Sequence, residues 1–170
     1  MQKFFAKIFN IGCGSLSLIK KDLVFSHKSF NTKEETIAFL AGALNKKGVA
    51  KDSYQNALLE REKKFPTGLP TGDVKVAIPH ADSEHVNESA IAVTTLDSPV
   101  SFKNMGDPEE DLKVSIIIML AIAEPKAQVK MLQNLMSIVQ DQNHLTKLLS
   151  YKTSNELFLD LDNTFSKIKL

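Results

Sequence analysis

The segment that most constrains this chain is a run of mostly apolar, isoleucine-rich residues at positions 114–123, ten residues in all. A helix that crosses a membrane needs about 20 apolar residues, so this run is too short to span a bilayer. A nearly continuous apolar run is typical of a strand that is covered on both faces of a sheet. The sequence therefore predicts a buried central strand and no direct membrane insertion.

Helices and strands alternate imperfectly around this run. Capping boxes predict that helices begin at Thr32 and Thr153, and that another begins at Asp52 with Gln55 as its reciprocal cap. Pro125 suits the first position of a long helix, because its missing N–H costs nothing there. Strands are predicted at residues 23–25, 74–78, 90–96 and 113–123, with a loop at residues 66–72 and a turn at residues 97–99.

The organisation is that of one domain, since no repeat, low-complexity tract or linker divides the chain. We expect a single α/β domain at residues 20–165, with a mixed central β-sheet flanked by helices. Residues 1–19 form an N-terminal lead-in, expected to be an amphipathic segment that covers a core edge or a partner. It superficially resembles an export signal, but Lys7 interrupts its apolar stretch and no small-residue cleavage site follows.

Charge and cysteine content narrow the possible functions. The net charge is +1 and no lysine or arginine stripe occurs, so we expect no nucleic-acid partner. Cys13 is the only cysteine, which excludes an internal disulfide and a thiolate zinc cage and fits a reducing, cytoplasmic location. His85 follows His80 by five residues, but no third ligand has a convincing spacing. We expect neither a metal nor a cofactor.

His80 is the strongest candidate for chemistry among the four histidines. It follows a predicted strand and Pro79, and ligand sites of α/β sheets gather at the carboxyl ends of strands. An imidazole with an unperturbed pKa near 6.5 is largely neutral at cytoplasmic pH and keeps a lone pair that can carry a labile phosphate. The spacing alone leaves open that His80 is structural or merely exposed.

Phosphoryl transfer needs positioning and charge neutralisation, for which a bidentate arginine is well suited. Arg61 is the only arginine among the 21 lysine and arginine residues, and it lies just before the loop that leads to His80. The alternative interpretation is a surface ion pair with Glu60 or Glu62, which would contribute little.

Three motifs occur together: L-E-R-E at residues 59–62, P-T-G at residues 66–68 and A-I-P-H at residues 77–80. In combination they resemble the enzyme IIA domain of the bacterial phosphoenolpyruvate-dependent sugar phosphotransferase system, fructose/mannitol type. The spacing favours the galactitol-like branch. The resemblance covers nearly the whole chain, and the mixed sheet that it implies agrees with the predicted elements.

This resemblance implies that His80 accepts a phosphate on Nε2 from the carrier protein HPr. The phosphate would pass to a IIB domain and then to a sugar crossing the membrane through a IIC protein. Arg61 matches the arginine beside the phosphohistidine, and Thr67 matches a position whose hydroxyl or amide could contact a phosphate oxygen. Gln128 is placed where related members often have a second histidine; it can donate a hydrogen bond but cannot carry a proton.

Three alternative functions differ in how well they account for these motifs. A regulatory IIA-like protein, whose phosphorylated His80 controls a protein partner, needs the same motifs and stays open. A hydrolase with His80 as general base lacks a nucleophile in a G-x-S-x-G setting, and a purely structural interaction protein leaves the combined motifs unexplained. The sugar, whether galactitol, another hexitol or a pentitol, is not specified by the sequence.

A carrier must also dock two partners in succession, so we expect a shallow apolar rim around His80. The candidates for this rim are Leu69, Pro70, Val76, the loop flanking Ile78 and the start of the helix at Pro125.

Overall fold

The computed structural model describes residues 17–168. Its elements in chain order are β1 (Ile19–Lys28), α1 (Lys33–Lys46), α2 (Tyr54–Lys64), β2 (Gly68–Leu69), β3 (Lys75–Ala77), β4 (Ala90–Lys103), β5 (Asp111–Ala121), α3 (Pro125–Val139), α4 (Gln142–Ser150) and α5 (Ser154–Phe165). A 3₁₀ turn at Ser83–His85 lies between β3 and β4. The predicted lead-in up to residue 16, including Cys13, lies outside the described residues.

The described strands form one five-stranded mixed sheet in the order β1-β4-β5-β3-β2. β1 is parallel to β4 and β3 to β5, whereas β4 pairs antiparallel with β5 and β2 with β3. The predicted isoleucine-rich strand is β5, which lies at the centre of this sheet. The prediction of a single α/β domain with a mixed sheet is confirmed.

Helices cover both faces of the sheet. β5 supplies apolar side chains to both faces, and each set of side chains is buried under helices. Ile117 and Met119 belong to the core formed with α1 and α2. Ile116 and Ile118 point to the opposite side and belong to the core formed with α3, α4 and α5. All four side chains are fully buried, which explains why this half of β5 lacks polar alternation. Among residues 17–168, no helix has the length and apolar character needed to cross a membrane.

Most predicted helix starts are confirmed. The Thr32 side chain accepts a hydrogen bond from the Glu35 amide, and the Thr153–Glu156 capping box is complete. Pro125 is the first residue of α3. The prediction at Asp52 is wrong: α2 begins at Tyr54, because the Asp52 carboxylate instead accepts a hydrogen bond from Asn45 Nδ2 at 2.8 Å.

Two further predictions fail because sheet pairing overrides local sequence. The predicted turn at residues 97–99 is a bulge inside β4, where the register with β5 shifts between Thr95 and Val100. The predicted loop at residues 66–72 contains the short strand β2, which pairs with β3.

Candidate functional site

His80 lies at the carboxyl end of β3, as the sequence predicts. Its backbone forms a parallel bridge with Leu120 of β5, and the Leu120 amide donates to the Pro79 carbonyl oxygen at 3.0 Å. Pro79 further restricts the backbone by fixing φ. The His80 residue is 8% exposed, so its position is determined by the central sheet rather than by a free loop.

The orientation of the His80 ring identifies its protonated nitrogen. Nδ1 lies 2.8 Å from the Ile78 carbonyl oxygen, and because a carbonyl oxygen only accepts, Nδ1 carries the proton. Nε2 of the neutral ring therefore holds the lone pair, and it lies 3.3 Å from Arg61 Nη2, which donates. Burial, and then the Arg61 charge, lower the pKa of His80, while the Ile78 carbonyl and Asp82 act in the opposite direction. The site presents a neutral imidazole with a nucleophilic Nε2.

Arg61 reaches the site from the last turn of α2. Its Nη1 lies 3.6 Å from Asp82 Oδ1, and its guanidinium carbon lies 5.6 Å from the centroid of the Phe65 ring. Asp82 is 75% exposed at its side chain, so this ion pair contributes at most about 1 kcal/mol. Arg61 Nε is buried without a hydrogen-bond partner among the described residues. The carboxylate that pairs with the guanidinium is thus an exposed one, which an anion in the cleft can replace.

Arg61 does not form the alternative ion pairs with Glu60 or Glu62. Glu60 pairs with Lys63 at 2.8 Å, and Glu62 accepts hydrogen bonds from Thr67. Arg61 faces His80 instead.

An open cleft of about 340 Å³ lies in front of His80. Its lining comes from α2, the loop after it and the β4–β5 connection, and consists of Arg61, Lys64, Phe65, Pro66, Thr67, His80, Met105 and Pro108. Lys64 adds a second cation to the lining. A larger cleft of about 420 Å³ contains His144, but the Nε2 of that histidine is 2.6 Å from Asp160 Oδ1 and is not a free acceptor.

Thr67 lines this cleft, but its donors are already used. Its hydroxyl donates to Glu62 Oε2 at 2.7 Å, and its amide donates to Glu62 Oε1 at 3.2 Å. Sequence reasoning missed Glu62 as a member of the site, although it is only 3% exposed. Residues 60–64 are all charged, so no apolar stripe distinguishes a buried glutamate from its exposed neighbours.

Gln128 lies in the first turn of α3, close to the chain that follows His80. Its Nε2 donates to the Ala81 carbonyl oxygen at 2.9 Å, so the side chain is hydrogen-bonded to the backbone of the residue that follows His80. Gln128 does not line the cleft, so this structure does not place it in contact with a phosphate there.

The apolar rim predicted around His80 is partly wrong. Leu69, Val76 and Ile78 are between 0% and 3% exposed and belong to the core beneath α3, α4 and α5. The exposed apolar side chains at the cleft are Phe65 and Met105 instead.

The remaining histidines have protein partners. His85 Nδ1 lies 2.8 Å from the Ser53 hydroxyl, and His27 Nδ1 lies 3.0 Å from Asp97 Oδ1. Within residues 17–168, no group of three or more histidine, cysteine, aspartate or glutamate side chains is arranged to hold a metal ion.

The fold and the site together define an α/β domain in which a neutral histidine, at the end of a strand, faces a guanidinium on the rim of an open cleft. The chain belongs to the family described as "Phosphoenolpyruvate-dependent sugar phosphotransferase system, EIIA 2", whose model matches residues 17–163. It is therefore an EIIA-type component of a phosphotransferase system, in agreement with the resemblance of its motifs.

Known proteins similar to this chain include transport and regulatory members. It is 31% identical to the galactitol-specific EIIA component of Escherichia coli K12, over 72% of this chain and 81% of the relative. It is 32% identical to the transcriptional regulator ManR of Bacillus subtilis, over 81% of this chain but only 20% of that protein. Its fold is similar to enzyme IIAMTL of E. coli, solved in complex with phosphorylated enzyme IIBMTL, with a TM-score of 0.67, 24% identity and coverage of 85% and 98% of the two chains.

Proposed function

We propose that this chain is a cytoplasmic phosphoryl carrier that accepts a phosphate on His80 from phospho-HPr and passes it to a IIB domain for sugar uptake through a IIC protein. The observation that carries this proposal is the geometry of the ring. Nδ1–H is bound to the Ile78 carbonyl oxygen at 2.8 Å, and Nε2 faces Arg61 at 3.3 Å.

The transfer can be written with this geometry. The Nε2 lone pair attacks phosphorus, and the bond between phosphorus and the donor group of HPr breaks with its electron pair returning to the donor. The proton stays on Nδ1, so the phosphorylated ring carries a positive charge that the Ile78 carbonyl stabilises. Arg61 exchanges its contact with Nε2 for the phosphoryl oxygens and neutralises their charge.

Release to the IIB domain is the same step in reverse. A nucleophile of the IIB domain attacks phosphorus, and the electron pair of the P–N bond returns to Nε2. No proton has to enter or leave His80 in either direction. Because no proton moves, Gln128, which cannot carry a proton, is compatible with transfer in both directions.

Thr67 plays a supporting part in this proposal. Its hydroxyl hydrogen is directed to Glu62, so a phosphate oxygen would have to compete with that carboxylate for it. We assign direct neutralisation of the phosphate to Arg61, with Lys64 as a second positive charge in the cleft lining.

The similar proteins support a substrate class and a partner for this carrier. The similarity to a galactitol-specific EIIA component supports a polyol, galactitol or a related compound, as the transported solute. The IIAMTL structure of similar fold is a complex with phosphorylated IIBMTL, which supports a IIB domain as the acceptor.

A regulatory role is the second candidate, favoured by the similarity to the transcriptional regulator ManR. In that role the phosphate on His80 controls a protein partner instead of being handed on. The two functions share the acceptor step and differ in the fate of the phosphate.

The acceptor step is tested by incubating the protein with phosphoenolpyruvate, enzyme I and HPr and measuring acid-labile phosphate. His80→Ala should abolish labelling while the fold is retained, and His85→Ala, as the matched control, should label normally. Normal labelling of the His80 variant, with the phosphate on His85 or His144, would sink the assignment. Transfer from the labelled protein to a IIB domain separates the carrier from the regulator.

A further inference from the structure

Glu62 is a buried acidic side chain that the proposed transfer does not use. It follows Arg61 in α2, is 3% exposed, and accepts hydrogen bonds from Thr67 with each carboxylate oxygen, at 3.2 Å from the amide and 2.7 Å from the hydroxyl. Burial raises the pKa of Glu62, while the two Thr67 donors lower it. A buried carboxylate is costly unless it is fully hydrogen-bonded, so its presence beside the cleft requires a reason.

The hydrogen bonds of Thr67 continue to the reactive ring. The Thr67 carbonyl oxygen accepts from the Ile78 amide at 3.1 Å, and the Ile78 carbonyl oxygen accepts from His80 Nδ1–H at 2.8 Å. Three successive links therefore join the Glu62 carboxylate to the imidazole. The hydrogen bonds from Glu62 to Thr67 and from Thr67 to Ile78 restrain the backbone on either side of the cleft, and they thereby fix where the Ile78 carbonyl points.

We propose that Glu62 is a positioning residue for His80, acting through Thr67 and Ile78 to hold the proton on Nδ1 and so leave Nε2 as the acceptor nitrogen. The consequence for transfer rests on the proposed function. The tautomer itself is a property of the resting protein and is measured without any phosphate donor.

The competing explanation is that Glu62 merely anchors the chain between α2 and β2. An anchor would contribute to stability, yet its loss would leave the ring tautomer unchanged in the folded protein. The tautomer is therefore the measurement that separates the two roles.

Glu62→Gln is the informative variant, because the amide keeps one acceptor oxygen but turns an NH₂ group toward one Thr67 donor. Glu60→Gln is the matched control, since Glu60 is on the same helix, is 63% exposed at its side chain and pairs with Lys63. The ¹⁵N shifts of the His80 ring nitrogens report the tautomer. We expect the wild type and Glu60→Gln to hold the proton on Nδ1, and Glu62→Gln to gain a measurable population with the proton on Nε2.

The rate of labelling at saturating phospho-HPr should fall in proportion to the fraction of Glu62→Gln molecules that hold the proton on Nε2, with the half-saturating concentration unchanged, because ground-state docking is not altered. A folded Glu62→Gln protein with wild-type ¹⁵N shifts and a wild-type rate would overturn the proposal. A wild-type protein that takes up no phosphate would instead refute the proposed function and leave the tautomer result intact.

A second pair of variants keeps the test decisive if Glu62→Gln does not fold. Thr67→Val removes the hydroxyl link but keeps the amide link, and Thr67→Ser restores the hydroxyl. We expect the Nε2–H population to rise in Thr67→Val and to return toward the wild-type value in Thr67→Ser. Identical ¹⁵N shifts of the His80 ring in Thr67→Val and Thr67→Ser would contradict the proposal.

Discussion

His80 is influenced by two neighbours of opposite charge. The Arg61 guanidinium donates to Nε2 at 3.3 Å and disfavours a second proton on the ring, whereas the Asp82 carboxylate, 3.6 Å from Arg61 Nη1, favours one. Burial has the largest effect and also favours the neutral ring. Burial and Arg61 outweigh Asp82, so the pKa of His80 is lowered and the lone pair stays available near neutral pH.

The two neighbours should therefore shift the His80 pKa in opposite directions. We expect the pKa of His80 to lie below about 6.5, the value of an unperturbed histidine. Asp82→Asn should lower it further, and Arg61→Gln should raise it. Protonation of Nε2 removes the lone pair, so acceptance of phosphate should fail as the pH drops through this pKa, and at a higher pH in Arg61→Gln than in the wild type.

An NMR titration of the His80 ring measures these pKa shifts, and Lys63→Gln provides a control on the same helix, because Lys63 pairs with Glu60. If both Asp82→Asn and Arg61→Gln moved the pKa in the same direction, the electrostatic account of the site would be wrong.

Some residues of the site were accessible from sequence and others were not. His80 and Arg61 were found because a histidine after a strand and a solitary arginine are visible without a structure. Glu62 was not found, because burial of one charge within a stretch of charges depends on how α2 packs against the chain around Thr67. Its hydrogen bonds to Thr67 are set by tertiary structure rather than by local pattern.

The same distinction holds for the elements. The capping interactions at Thr32 and Thr153 were predicted because each involves residues only three positions apart. Residues 97–99 are predicted to form a turn, because proline and polar residues favour a turn locally. In the structure they form a bulge, because β4 pairs with β5 both before and after these residues and the strand stays continuous. In α3, Val129 has the helical spacing of a buried residue relative to Leu132 and Leu135, yet it is 58% exposed, and the buried residues of α3 are Met131, Leu135 and Val139.

At the element scale, β2 depends on a glycine. A Cβ at Gly68 would lie 2.6 Å from the Lys103 carbonyl oxygen, and the Gly68 carbonyl oxygen accepts from the Met105 amide at 2.8 Å. We predict that Gly68→Ala forces these backbones apart and lowers the free energy of unfolding by about 1–3 kcal/mol. It should also slow labelling of His80, because Thr67 is displaced with its neighbour.

Urea denaturation measures the free energy of unfolding, and Gly42→Ala is the matched control. A Cβ at Gly42 meets no atom within 4 Å, and Gly42 is inside α1, where alanine is favoured over glycine by about 1 kcal/mol. The control should therefore be more stable than the wild type. Equal stabilities of the two variants would show that the close approach at Gly68 is not required.

At the scale of the whole molecule, the cleft of His80 has exposed apolar side chains at its mouth. Among residues 17–168, the large apolar residues that are mainly exposed are Phe65, Met105, Val129 and Leu159. Phe65 and Met105 line the cleft of His80, whereas Val129 and Leu159 do not. Apolar side chains in this position suit a partner that must cover His80 briefly and leave.

We predict that Phe65→Ser and Met105→Ser slow labelling by phospho-HPr at low donor concentration by about tenfold each, since truncation of one of the few side chains that dominate an interface costs more than about 1 kcal/mol. Labelling by a small phosphoryl donor, such as phosphoramidate, should be unchanged, because that donor needs only the cleft. Leu159→Ser is the matched control: Leu159 is 58% exposed but lies on α5, so both reactions should keep the wild-type rate.

Phe65 also contacts Arg61, so loss of both reactions in Phe65→Ser would indicate damage to the site rather than to docking. In that case Met105→Ser is the variant that tests docking. If Met105→Ser labelled normally from phospho-HPr, the apolar mouth of the cleft would not be the docking surface.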